Sequence, residues 1–94
     1  MPTYYAGFIP GEDGQVGVIF PDVPGCVTCG DDMEHAQAMA VEALSGHLGC
    51  MARDKDVIPP PSSYEDAKTA LYEIHESFDL GPLPEGTRLL PVSF

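Results

Sequence analysis

Basic side chains are scarce in this chain. Its 94 residues hold four Lys and Arg against 15 Asp and Glu, a formal net charge of −11. A domain that binds nucleic acid by itself carries a basic patch over the phosphates, so this balance argues against direct nucleic-acid binding. The sign is also wrong for docking on an anionic membrane. It suits a basic protein partner, although net charge by itself speaks equally to the solubility of a small protein. Cysteine is sparse and odd in number, at three. A secreted disulfide framework is therefore not expected. Long apolar runs are missing, and Met1–Tyr5 has no basic start of the kind that opens an export signal. The expected location is the cytoplasm, with no membrane contact.

What is present has a clear order. Tyr4 to Ile9 alternates as a strand, with Tyr4, Ala6 and Phe8 on one face and Tyr5, Gly7 and Ile9 on the other. Pro10–Gly14 is a turn, so Gln15–Phe20 is expected to return antiparallel, with Val16, Val18 and Phe20 on one face. A turn follows at Pro21-Asp22-Val23-Pro24-Gly25. Its prolines fix φ and its glycine allows the reversal. Cys26–Gly30 is a third short strand.

Asp31 or Asp32 can cap a helix, and Asp31 with Glu34 resembles a capping box. Ala36, Ala40, Ala43, Leu44, Leu48 and Met51 then recur on one helical face, with His47 beside them. The helix should stop near Asp54, before the prolines of Val57–Ser63. Ser62 or Ser63 can cap a second helix over Tyr64–Ser77, with a stripe of Ala67, Ala70, Leu71, Ile74 and Phe78. Leu80–Gly86 reads as loop. Arg88–Phe94 reads as a last strand, placed at a sheet edge because Pro91 cannot donate a ladder bond.

The order β-β-β-α-(α)-β defines an α+β class. A three-stranded antiparallel meander, a right-handed crossover and a fourth strand parallel to the first make a partial RNase H-like fold, with the helix on one face. The wording of two segments is more specific. Phe20-Pro21-Asp22-Val23-Pro24-Gly25-Cys26, followed by Gly30-Asp31 and an Ala-rich helix, resembles the HicB antitoxin family of bacterial toxin–antitoxin pairs. Ile58-Pro59-Pro60-Pro61-Ser62-Ser63 resembles the family's I-P-x-P-S tail, and the likeness covers Tyr4 to Ser63.

The resemblance implies the same RNase H-like fold. It also implies a function: binding a small basic HicA-like toxin and occluding its mRNA-cleaving surface. Members commonly continue into a DNA-binding domain. Here Phe94 falls where that domain would begin, so residues 1–94 are expected to form one domain without it. The alternative is a stand-alone oligomeric HicB-like binding or scaffold module with no cognate toxin. A chain this small, with an edge strand to protect, is expected to form a homo-oligomer through the terminal strand or the second helix.

Enzymatic readings are weaker. Two-metal nucleases of RNase H type need carboxylates on the first strand, the helix and the fourth strand. Neither outer strand has one, and Glu42 stands alone on the helix. Cys26 and Cys29 spell C-x-x-C, but extended residues three apart point to opposite faces. No zinc, disulfide or other cofactor is expected from them. His47 and Cys50, one helical turn apart, are too few for a metal site. His35 and His75 are expected at the surface. Tyr4, Tyr5 and Phe8 read as sheet packing in place of a base-stacking platform. The candidate partner contacts are acids at the sheet rim: Asp22, Asp31, Asp32 and Glu34.

Overall fold

The structure, a computed structural model, describes residues 3–77 and 83–93. Phe78 of the expected helical stripe, residues 80–82 of the expected loop and Phe94 of the expected last strand lie outside them. Four strands form one sheet: β1 (Thr3–Pro10), β2 (Val16–Ile19), β3 (Val27–Gly30) and β4 (Arg88–Ser93). Two helices complete the fold, α1 (Met33–Arg53) and α2 (Tyr64–Ser77). The strand order is β3-β2-β1-β4, which leaves β3 and β4 at the edges.

Period-two patterning sets the core. Tyr4, Ala6, Phe8, Val16, Val18 and Phe20 are buried against Ala36, Ala40, Leu44 and Leu48 of α1. The small residues of α1 let it lie close to β3. A Cβ on Gly30 would meet the Ala36 backbone nitrogen at 2.3 Å. The cap is local and one residue later than the Asp31–Glu34 box. Asp32 accepts from the His35 amide at 2.7 Å. The residue at the box's third position is thus His35, whose ring accepts from the Asp31 amide, one residue before the cap, in place of the cap's own N–H. Ser63 caps α2 through the Asp66 amide.

The last strand corrects an expectation. β4 runs antiparallel to β1, from Phe8↔Arg88 to Thr3↔Ser93, and not parallel to it. A parallel β4 assumes one crossover helix. Here a second helix intervenes, and Gly86 then lies beside Pro10, at the far end of β1. The chain enters β4 from that end and runs back. α2 also takes the other face of the sheet. A Cβ on Gly7 would touch the Leu71 side chain at 2.6 Å, and the Tyr5 and Tyr64 rings meet edge to face at 5.5 Å. The sheet is therefore covered on both faces.

The same docking corrects His75, which is buried, not exposed. Ala67, Leu71 and His75 recur every four residues and face the sheet. Ala70 and Ile74, the other described positions of the expected stripe, are half-buried.

The edge position of β4 matches the proline argument. Phe20 N–H donates to the Cys26 carbonyl at 3.2 Å, and Gly11 N–H to the Gln15 carbonyl at 2.7 Å. Bonded pairs alternate along an antiparallel ladder. Carried through the register, this alternation turns Gly17 and Ile19 toward β1, Ala6 and Phe8 toward β4, and the backbone of Pro91 outward. The missing donor falls on the free side, where it blocks the addition of another strand.

Candidate partner-binding site

The two segments that carry the family resemblance meet in space. The turn after β2 is held by Val23 N–H on the Phe20 carbonyl and Cys26 N–H on the Val23 carbonyl, at 3.1 and 3.0 Å. Gly25 takes φ of 85°, where a side chain would be strained. Val23 is fully buried. Asp22 accepts from both the amide and the hydroxyl of Ser62, each at 2.8 Å, across 40 residues of sequence. The Tyr4 hydroxyl donates to the Pro59 carbonyl. The proline tail is thereby strapped across the end of the sheet, and from there the chain passes to the face that α2 covers.

Burial, with the Asp22 carboxylate nearby, pushes the Tyr4 phenol above its ordinary value. A raised phenol pKa means the folded state keeps its proton longer than the unfolded chain. Its contribution is therefore complete below the ordinary value near pH 10 and is lost as pH rises above it. The buried thiol of Cys26 is pushed up by burial and acts in the same direction from about pH 9. Tyr4→Phe is expected to cost about 1 kcal/mol at neutral pH, because the Pro59 carbonyl loses its donor. It should also flatten part of the alkaline loss of stability. Urea titrations at pH 7 to 11 check both effects. A variant as pH-sensitive as the parent would contradict the burial account.

The four candidate acids do not form one group. Asp31, Asp32 and Glu34 lie together where β3 passes into α1, and all three are exposed. Asp22 lies at the other end of β3, half-buried and engaged with Ser62. His35 ties the first group together. Its Nδ1 accepts from the Asp31 amide at 3.0 Å and stands 3.7 Å from the Asp31 carboxylate. With Nδ1 accepting, the neutral ring carries its proton on Nε2. The Asp22–Ser62 bond escaped the sequence reading; the only signal was the resemblance that linked both segments to one family.

The chain's cations are elsewhere. Arg53 and Lys55 stand at the far end of α1, Lys68 on α2, and Arg88 at the start of β4, in the row Thr28, Val18, Phe8, Arg88 that crosses the whole sheet. Glu42 is exposed on α1. Cys26 lies in the core beneath α1, whereas Cys29 is exposed on the opposite face of β3. His47 is half-buried beside the Gly25 turn. Among the described residues, no three His, Cys, Asp or Glu side chains come together as metal ligands, and no helix is long and apolar enough to cross a membrane.

Fold and site define an acidic α+β domain, a four-stranded antiparallel sheet with a helix on each face and three exposed acids at one end of its β3 edge. Residues 4–76 match the family of HicB-like antitoxins of bacterial toxin–antitoxin systems, and the chain belongs to that family. It is 42% identical over 50 residues to Antitoxin HicB 2 of Photorhabdus laumondii, a match that covers 53% of this chain and 36% of that protein. The chain spans less than half the length of the curated relatives it matches.

Two solved structures share the fold. One is a toxin–antitoxin complex from Streptococcus pneumoniae, with a TM-score of 0.75, 21% identity, and coverage of 96% of this chain and 66% of that one. The other is the N-terminal domain of the Burkholderia pseudomallei antitoxin HicB, with a TM-score of 0.68, 22% identity, and coverage of 98% and 96%.

Proposed function

We propose that this protein is a non-enzymatic antitoxin that binds a small basic HicA-like toxin in the cytoplasm and covers its RNA-cleaving surface. Family membership supplies the class of partner. The observation that carries binding on this chain is a cluster of three exposed acids at the sheet rim. Asp31, Asp32 and Glu34 stand exposed at one end of β3, and none of the four Lys and Arg residues lies within that stretch. A protein built to hold polyanionic RNA is basic, and such a surface attracts it. Asp22 contributes less, because Ser62 already occupies its oxygens. Self-association remains part of the reading. Pro91 disfavours β4 as its route, and the exposed Tyr64 and Tyr72 of α2 favour the helix.

The test co-expresses the protein with the product of the adjacent gene and follows growth. Neutralisation is expected. Asp31→Lys with Asp32→Lys should weaken it, whereas Asp→Asn at both positions keeps the cap and separates charge from folding. Association should slow about tenfold between low and high salt, with dissociation changing less. A neighbour that is harmless alone, or toxic regardless of this protein, sinks the reading in favour of a stand-alone binding module. A monomeric mass by light scattering at high protein concentration contradicts the self-association.

A further inference from the structure

β3 differs from β4 as an edge. Phe20 bonds to Cys26, so the alternation of the ladder turns Cys26, Thr28 and Gly30 toward β2. The N–H and C=O of Val27 and Cys29 therefore point away from the sheet. No strand lies beside them among the described residues. Neither position is proline, and both side chains are exposed, Val27 by 62%. On the α2 face, next to Val27, an apolar groove of about 400 Å³ opens between Ile19, Phe20, Pro24, Val27 and Ile74. At the other end of the strand stand Asp31, Asp32 and Glu34. Four outward backbone groups, an apolar groove and an acidic end lie along a single edge.

We infer that β3 is the docking edge, and that its occupant is an extended, basic segment of the partner protein, added as a fifth strand antiparallel to β3. The inference deepens the antitoxin reading and rests on it for the identity of the partner.

The geometry dictates the segment's chemistry. A residue opposite Val27 shares its face and enters the groove, so it is apolar. In an antiparallel partner the residue two before it lies opposite Cys29, and the residue four before it lies opposite Asp31. That last residue is Arg or Lys. Charge favours this occupant over a second copy. β3 holds no Lys or Arg, and pairing two such edges would join two chains of net charge −11. Alternate side chains then give specificity while the main chain gives affinity, as in other strand additions.

The probe is the peptide Arg-Thr-Arg-Thr-Val-Thr-Val, with Glu replacing Arg in the control, added to ¹⁵N-labelled protein. The Val27 and Cys29 amides should exchange quickly in the free protein and become protected by the basic peptide but not by the acidic one. Cys29→Pro removes one outward donor and leaves the ladder to β2 intact, as Pro91 does at the other edge. It should weaken peptide binding about tenfold. Ser93→Pro, outward on β4, should change nothing. Should Cys29→Pro unfold, Val27→Lys tests the same edge without constraining the backbone, and should weaken binding similarly.

Protection at Leu89 or Ser93 instead, or none at millimolar peptide, overturns the inference. So does concentration-dependent protection of Val27 and Cys29 without peptide, which would identify the occupant as a second copy. The toxin assay stands apart. If wild type and Cys29→Pro neutralise equally, the edge assignment fails and the antitoxin reading stands. If no toxin exists but the peptide binds β3, the reverse holds.

Discussion

Gly30→Ala is expected to be the most damaging small substitution in this protein. The added methyl would sit 2.3 Å from the Ala36 nitrogen, 2.6 Å from its Cα and 2.8 Å from the His35 carbonyl carbon. All three are backbone atoms in the first turns of α1, so no rotamer change relieves the contact. The helix must lift from β3, and the Asp32 cap and the Ala36 and Ala40 contacts must shift with it. A cost of about 3 kcal/mol or more is expected. In a domain of this size, that lowers the thermal midpoint by more than about 12 °C.

Gly7→Ala is the control. Its methyl would also be crowded, at 2.6 Å, but by the tip of the Leu71 side chain, which can turn away. A loss of about 1 kcal/mol is expected there. Differential scanning calorimetry of the two variants separates them. Equal losses would mean that α1 does not bear on β3 as closely as described.

Leu44→Ala is expected to come second. Leu44 is fully buried at the middle of α1 and belongs to the cluster that joins the helix to β1 and β2. Leucine and alanine differ little in helix propensity, so the loss reports packing. Removing the isobutyl group leaves a cavity against the sheet, at a cost of about 2–5 kcal/mol. Set against a total stability of about 5–10 kcal/mol, this is a large fraction. Val41→Ala on the same helix removes an exposed side chain and should stay within about 0.5 kcal/mol. Urea midpoints at constant slope decide the matter. A Leu44 variant as stable as the Val41 variant would show that the helix face is misassigned.

Local chemistry determined much of this protein. Alternation placed Tyr4, Ala6 and Phe8 on one face of β1 and Val16, Val18 and Phe20 on one face of the returning strand, because the side-chain period of an extended chain is two. The spacing of Ala36, Ala40, Leu44 and Leu48 marked the buried side of α1 for the equivalent reason at 3.6 residues per turn. Pro91 announced an edge strand because a residue without an N–H cannot occupy the interior of a ladder. Ser63 and the start of α2 could be read within a few residues, as could the end of α1 before the prolines. The acids at the end of β3 were visible as a charge run.

Tertiary structure decided what depends on residues distant in the chain. Period two is the same in both directions, so alternation could not set the sense of β4; the second helix did, by delivering the chain to the far end of β1. Which face α2 covers was settled by the meeting of Leu71 with Gly7 and of Tyr64 with Tyr5, and that docking also buried His75. Asp22 looked like its fellow acids until Ser62, 40 residues away, took both its oxygens. The difference between the two sheet edges came from the register, because only paired strands determine which backbone groups remain for a partner to use.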